Sequence, residues 1–259
     1  MRIAGRARQG RPRTQDRRRR ARRRPLDRGR ALAGLVAGAC LGALVALSFS
    51  DVATLQRGEV AGVRHTTPAE VLAAVGLDGA RAFRASAVEA RARVRDLPGV
   101  RDATVELDVL GTYRITVAER EALGRWQVGR VEWFVDRDGV IFASVDPTAA
   151  PALRVRDDRV TRRTAGERLD PALVSAALRL AALGPGELRA DMRQPEVIIE
   201  AGPNGIVLRS GARWEIRFGG PENLDEKLVI ARQFLRNEPD RPLDYVDVRS
   251  PERIVFSPR

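Results

Sequence analysis

The sequence is poor in the residues that metal sites, disulfides and nucleophilic catalysis require. Its 259 residues include one histidine, His65, one cysteine, Cys40, and one lysine, Lys227. A zinc site needs several Cys or His ligands, and a disulfide framework needs paired cysteines. We therefore expect no metal, no cofactor and no disulfide. Because all but one of the 46 basic residues are arginine, we interpret the lack of lysine as codon bias.

The short motifs of common enzymes are missing as well. The sequence contains no G-x-S-x-G, H-E-x-x-H, C-x-x-C, P-loop or G-x-G-x-x-G pattern. The segment Asp136-Arg137-Asp138-Gly139 begins like a calcium loop, but Pro147 stands where the loop needs its glutamate, so a tight turn is the better interpretation. We expect His65 to be an exposed loop residue. No catalytic residues are predicted, although a pair of carboxylates acting in a hydrolase stays open, since acidic residues are numerous.

One long uncharged run is present, from Ala31 to Ser50. Twenty residues of helix span about 30 Å, the thickness of a bilayer's hydrocarbon core. We interpret the run as a retained membrane anchor; a cleaved signal peptide and a buried core helix are the alternatives. Within it, Gly34, Gly38 and Gly42 recur at a spacing that lets membrane helices pack closely, although a Gly/Ala-rich span also produces this spacing by chance.

Positive charge is concentrated before this run. Residues 1–30 hold 14 arginines and two acidic residues, whereas residues 31–259 hold 32 basic and 32 acidic residues. The positive-inside rule therefore predicts a single-pass type II protein with its N-terminus in the cytoplasm and residues 51–259 outside. We interpret the tail as disordered, as a topology signal and as a contact for membrane lipid. Nucleic-acid binding is the alternative, but we do not expect it because the rest of the chain offers no basic face.

Residues 51–122 have the pattern of a β-α-α-β-β module. After a short strand, the segment Thr67-Pro68-Ala69-Glu70 forms a capping box that begins a helix. Ser86-Ala87-Val88-Glu89 begins a second helix in the same way. Residues 103–109 and 113–117 then alternate between apolar and polar side chains, which predicts two half-buried strands.

From Leu123 onwards, strands and turns dominate. Arg137-Asp138-Gly139 and Gly202-Pro203-Asn204-Gly205 each separate two apolar segments, as the turn of a hairpin does. Asp170 and Asn223 are predicted to be the N-caps of two helices, and two further strands follow. The predicted fold is α+β, with a membrane anchor, the β-α-α-β-β module and a sheet-rich domain with two helices.

Several segments resemble, in this order, the FtsQ/DivIB family of bacterial cell-division proteins. "VAGVRHTTPAEVLAAVGL" is similar to the opening of the family's POTRA module. "LPGVRDATVELDVLGTYRITVAERE" is similar to its end, which carries a V-x-E-R signature at Val117, Glu119 and Arg120. "FVDRDGVIF", "GIVLRSGARWEIRFGGPENLDEKLVIARQFL" and "LDYVDVRSPERIVF" are similar to parts of the second domain. Residues 145–192 depart most from the family pattern.

The resemblance implies a non-enzymatic scaffold of the divisome, located in the cell membrane at the division septum. Family members bind the single-span proteins FtsB and FtsL and help control septal peptidoglycan synthesis, and their POTRA module docks other division proteins. The implied organisation is given by five segments: a disordered tail 1–30, a transmembrane helix 31–50, a POTRA domain 51–122, an FtsQ-type β domain 123–256 and a C-terminal tail 257–259.

The resemblance also places the family's FtsB site in the last strands, here Tyr245 to Phe256. A terminal strand is often an edge with unpaired backbone groups, and Arg and aromatic side chains are favoured interface anchors. We expect Val246 and Val248 to belong to the core instead, and for Val255 and Phe256 a place in the core is the alternative. The predicted partner-binding residues are Arg249, Ser250, Arg253, Ile254, Val255 and Phe256.

Overall fold

A computed structural model of the protein describes residues 28–49, 54–108 and 111–259. Helix α1 runs from Arg28 to Phe49, so residues 28–30 are helical where the sequence predicted a disordered tail. Its segment Gly29–Ala46 is long and apolar enough to cross a membrane, and none of it is buried. A core helix would be mostly buried, which leaves a membrane anchor or a signal sequence. The other predictions for the arginine-rich tail concern residues 1–27, outside the described residues.

Residues 48–259 form a second compact unit that contains two sheets. The smaller sheet has the order β1-β3-β2, with β1 parallel and β2 antiparallel to β3. The chain order is the predicted β-α-α-β-β. Its elements are β1 (Arg57–Ala61), α2 (Pro68–Val75), α3 (Ala87–Arg95), β2 (Val100–Leu107) and β3 (Thr112–Glu119).

The first helix of this module begins at the predicted capping box. Thr67 Oγ1 accepts a hydrogen bond from the Glu70 N–H (3.2 Å), and the Glu70 carboxylate accepts one from the Thr67 N–H (2.9 Å). Gly76 ends the helix in the left-handed conformation, with φ 58°, which glycine adopts without strain. The apolar sides of both helices pack on the sheet and form a separate core with Val71, Val75, Ala90, Val94 and Ile115.

The larger sheet has nine strands in the order β12-β11-β10-β9-β8-β7-β4-β5-β6. Three pairs are parallel (β4 with β7, β7 with β8, and β10 with β11), and the other pairs are antiparallel. Its elements are β4 (Gly124–Val128), β5 (Val131–Val135), β6 (Ile141–Phe142), β7 (Arg154–Asp157), α4 (Pro171–Ala181), β8 (Glu196–Ile199), β9 (Ile206–Arg209), β10 (Glu215–Gly219), α5 (Leu224–Asn237), β11 (Leu243–Ser250) and β12 (Arg253–Pro258).

The two faces of this sheet differ. Helices α4 and α5 pack against β7, β8, β10 and β11 and bury an apolar core around Trp126, Leu180 and Phe218. The opposite face carries ion pairs such as Arg156–Glu196 (2.8 Å). One face of the sheet is therefore in the main core, and the other is largely polar around two buried side chains, Ile198 and Val207.

Three predicted details need correction. Asn223 stands at the start of α5, but it has φ 54° and its side chain makes no capping hydrogen bond. Strand β12 continues through Ser257 to Pro258, so these two residues belong to the sheet and not to a C-terminal tail. The sequence analysis also missed β4 and β7, which lie inside the nine-stranded sheet.

The V-x-E-R signature lies where the two sheets meet. The Glu119 carboxylate accepts hydrogen bonds from the backbone N–H groups of Arg64, His65 and Thr66, at 2.8 to 3.0 Å. Arg120 donates to the carbonyl oxygen of Pro98 (3.1 Å) and to Asp136 Oδ2 (2.7 Å) at the hairpin between β5 and β6. The signature thus holds the loop before α2 and joins the small sheet to the large one.

His65 takes part in this junction. Its ring makes edge contacts with Phe134 and Phe142, at centroid distances of 5.8 and 5.5 Å, and its Nδ1 lies 2.9 Å from Ser144 Oγ. The side chain is half-buried. The prediction of an exposed loop residue was wrong, because sequence alone did not reveal that the second domain covers this turn.

Candidate partner-binding edge

Strands β11 and β12 end the larger sheet on one side. They are joined by a turn at Pro251-Glu252 and pair antiparallel, with Val246 opposite Phe256 and Asp247 opposite Val255. β12 is last in the strand order, and no other strand of the described chain pairs with its far side. The backbone groups on that side are therefore available to a strand from another protein.

Val246 and Val248 of β11 are fully buried under α5, which confirms that they are core residues. The side chains of β12 alternate between the two faces of the sheet. Ile254 and Phe256 of β12 are half-buried and pack against the same core, whereas Arg253 and Val255 are exposed. The edge therefore offers a partner its backbone and one row of side chains.

The ring of Phe256 already has partners within the chain. Its centroid lies 5.2 Å from that of Phe234 on α5, and the guanidinium carbon of Arg241 lies 4.4 Å above its face. These contacts attach β12 to the helix. The structure thus gives Phe256 a packing role within the sheet domain, which favours the alternative of a core residue over that of an interface anchor.

Arg249 is held in place on the outer face by Asp247. Its Nε donates to Asp247 Oδ1 (2.9 Å) and its Nη2 to Oδ2 (2.6 Å). Burial acts to raise the pKa of Asp247, but the hydrogen bonds from Arg249 outweigh it, so the pKa lies below its usual value. The stem of Arg249 runs over Gly219, where φ is 70° and an added Cβ would lie only 3.0 Å from Arg249 Cγ. Glycine is needed there for both reasons.

Two further residues on this outer face were not predicted as site residues. The guanidinium carbon of Arg217 lies 4.0 Å above the ring of Tyr245, and Arg217 also pairs with Glu215 (2.9 Å). In "RWEIRF" and "LDYVDV", apolar and polar residues alternate, which places Arg217 and Tyr245 on the outer face of the sheet. This alternation is the sequence signal that could have identified them. Together with Arg249 they form a fixed, arginine-rich strip next to the edge.

The structure brings the six predicted partner-binding residues together on two adjacent strands, with Ser250 opposite Arg253 across the turn. Gly34, Gly38 and Gly42 lie on one side of α1, and a Cβ added at any of them would meet nothing within 4 Å. Their role in helix packing stays a prediction. Within the described ranges, no group of three His, Cys, Asp or Glu side chains is placed to hold a metal ion.

Comparisons with known proteins agree with this organisation. The family model "POTRA domain, FtsQ-type" matches residues 56–120. Cell division protein FtsQ of Chloroflexus aurantiacus is 30% identical over 228 residues, which cover 88% of this chain and 82% of that protein. Cell division protein FtsQ of Salinibacter ruber is 27% identical over 237 residues, covering 87% of this chain and 90% of that protein.

A POTRA domain between one apolar helix and a larger sheet domain defines a class of protein, the POTRA-bearing proteins with a single N-terminal anchor. Within that class, the chain belongs to the FtsQ family of cell division proteins. The resemblance drawn from the sequence is thereby confirmed, as are the α+β fold and the POTRA module. Family membership and helix α1 together indicate a single-pass membrane protein.

Proposed function

We propose that this chain is a non-enzymatic scaffold of the cell-division machinery that binds FtsB-like and FtsL-like single-span partners. The observation that carries the proposal is the position of β12 at the end of the nine-stranded sheet. Family membership supports it, since the relatives are named as cell division proteins. A protein of this kind needs surfaces that hold partners, and β12 is such a surface.

Binding at this edge proceeds by strand addition. A segment of an FtsB-like partner pairs with the free side of β12, and main-chain hydrogen bonds supply affinity with little dependence on side chains. Arg253 and Val255 are exposed and add selectivity. Arg249 lies beside them in a fixed orientation set by Asp247, which reduces the entropy lost when a partner binds.

The test is co-purification of the full-length protein with its FtsB-like and FtsL-like partners. Val255→Pro removes a backbone N–H and fixes φ, whereas Val255→Ala keeps the N–H and serves as the matched control. Since neighbouring N–H groups of a strand point to opposite sides, Ile254→Pro is compared with Val255→Pro. The substitution at the position whose wild-type N–H faces outwards should weaken binding at least about tenfold while the sheet stays folded. Equal binding by wild type and both proline variants would refute strand addition.

We further propose that the N-terminus lies in the cytoplasm and that residues 51–259 lie outside it. In this proposal the protein acts at the division septum, where it couples the assembly of its partners to septal peptidoglycan synthesis. The charge difference between residues 1–30 and the rest of the chain supports this orientation. A reporter fused after Arg259 should be active only outside the cytoplasm. Reporter activity in the cytoplasm would contradict the orientation.

The POTRA module and the sheet domain are, in this proposal, two domains with separate tasks, and the POTRA module docks other division proteins. Their hydrophobic cores support the division, because the two clusters of buried residues share no member. A fragment of residues 51–122 should therefore unfold in one cooperative transition. An insoluble or molten fragment would argue for a single continuous domain.

A further inference from the structure

Phe83 is an aromatic side chain in an unusual position. It is 54% exposed, and it is the only exposed Phe, Trp or Tyr among the side chains whose burial the structure describes. Val88, 78% exposed, follows in the first turn of α3. These two are the only exposed large apolar side chains in the described part of the POTRA module. Phe83 is the larger of the two, and an exposed ring of this size can bury much apolar area against something outside the chain.

The loop that carries Phe83, residues 79–85, is attached to the point where the chain enters the POTRA module. Leu55 N–H donates to the Ala80 carbonyl (2.8 Å), and Gly79 N–H donates to the Leu55 carbonyl (2.9 Å). Thr54 pairs with Arg81 in an antiparallel bridge. Thr54 follows the last residue of α1, Phe49, by five residues. Five residues of extended chain reach at most about 18 Å, so covalent connection keeps this loop close to the membrane.

The loop is held in a defined shape. Arg84 N–H donates to the Arg81 carbonyl (2.9 Å). Beneath the loop, Leu55 and Leu77 are buried, and the Tyr113 hydroxyl donates to Asp78 Oδ1 (2.5 Å). The exposed ring of Phe83 is therefore presented by a supported turn.

The charges of the loop itself suit a phospholipid surface, and the acidic residue just before it, Asp78, accepts the hydrogen bond of the Tyr113 hydroxyl. Residues 79–85, "GARAFRA", contain two arginines and no acidic residue, and Arg84 is exposed. Phe is among the residues that interfacial segments bury at the boundary between headgroups and acyl chains, and guanidinium groups form strong hydrogen bonds with phosphate. An apolar ring beside cationic groups is also the composition of surface segments that lie in a membrane interface.

We propose that loop 79–85 contacts the surface of the membrane that α1 spans, with the Phe83 ring at the boundary between headgroups and acyl chains and Arg84 facing lipid phosphates. An exposed Phe could equally fit a protein partner. The short connection to α1 favours lipid, because the membrane is always within reach of this loop. The contact would restrain the orientation of the POTRA module, a role separate from partner binding at β12.

The test uses the full-length protein in nanodiscs and the variant Phe83→Trp, since tryptophan keeps an aromatic ring that suits the interface. Its fluorescence is compared with that of the wild type, whose three tryptophans all lie in the sheet domain. Lipids brominated near the headgroup should quench the added signal. The control is Val131→Trp, at a position 50% exposed in β5, which should not be quenched. Equal quenching at both positions would overturn the proposal.

Two further comparisons separate lipid from protein contact. Quenching of the Phe83→Trp variant in nanodiscs without any other protein supports the lipid contact, whereas a change that appears only when division proteins are added overturns it. With Phe83→Trp present, quenching should be greater in phosphatidylglycerol than in phosphatidylcholine, and Arg84→Gln should reduce that difference. No effect of Arg84→Gln would refute the role of Arg84.

Discussion

The junction between the two sheets and the edge at β12 differ in how their polar groups are used. At the junction, one carboxylate, Glu119, accepts hydrogen bonds from three backbone N–H groups, and Arg120 binds a nearly buried Asp136. At the edge, β12 is paired on one side only. Polar groups that form their hydrogen bonds within the chain stabilise the fold. A strand edge whose backbone N–H and C=O groups lack partners within the sheet can bind another protein. Substitutions at the junction should therefore change stability, and those at the edge should change binding.

The largest loss of stability is expected from Asp136→Ala. Asp136 forms an ion pair with Arg120, and the Asp136 side chain is 5% exposed and that of Arg120 16%. Asp136 Oδ1 also accepts hydrogen bonds from the N–H groups of Asp138 and Val140 in the hairpin turn. Removing one partner of a buried pair costs about 3–5 kcal/mol. Denaturant unfolding of residues 48–259 measures the loss. Glu59→Ala breaks an exposed pair with Arg114 and should cost less than about 1 kcal/mol. Equal losses would contradict the account of the junction.

Glu119→Ala should have the next largest effect. It leaves three backbone N–H groups of the loop before α2 without their acceptor, and Thr66 in that loop is buried. We expect a loss of about 1–3 kcal/mol in the free energy of unfolding. Glu119→Gln keeps one carbonyl oxygen as an acceptor and should fall between alanine and wild type. If alanine and glutamine are equally harmless, the loop is not held by this side chain.

Phe256→Ala tests whether a residue of the β12 edge contributes to stability, to binding or to both. Because the ring packs on Phe234 and is half-buried, its loss should lower the free energy of unfolding by about 1 kcal/mol. Partner binding should weaken only as far as β12 loosens. Val255→Ala, which truncates an exposed side chain on the same strand, should leave stability unchanged. Loss of binding without loss of stability in Phe256→Ala would show that the ring is an interface anchor after all.

The smallest expected effect is the contribution of Asp247 to the pH dependence of the free energy of unfolding. Its pKa is lowered from the ordinary value of 3.8, so its contribution to stability is present above that value and is lost as the pH falls through the lower pKa of the folded state. Stability should thus decline below about pH 3.8 more steeply in the wild type than in Asp247→Asn. Unfolding curves between pH 7 and 3 measure the difference. Identical pH dependence would show that Arg249 does not hold this carboxylate.

The sequence predicted the POTRA module well because each of its elements carries a local signal. The capping box at Thr67 and the alternation of residues 103–109 depend only on nearby residues. Strand β7, in contrast, has the sequence Arg154-Val155-Arg156-Asp157, which is short, charged and contains one apolar residue. It is a strand because β4 and β8 pair with it on both sides, and such pairing between distant segments leaves no local pattern.

The same distinction applies to the sites. The edge position of β12 followed from its place near the end of the second domain, and the resemblance named the residues. The sequence could not decide whether the ring of Phe256 faces the core or a partner, since that depends on where α5 lies. His65 was misjudged for the same reason: its partners Phe134, Phe142 and Ser144 lie about 70 to 80 positions away in the chain.

Hydrogen exchange of the full-length protein with and without an FtsB-like partner tests the central claim, that the free side of β12 receives a partner strand. Added hydrogen bonds slow the exchange of the amides that form them. We predict slower exchange of the amides of residues 253–257 when the partner binds, while β5 and β6 at the opposite edge of the sheet stay unchanged. Binding of the partner without any slowing in residues 253–257 would contradict the claim.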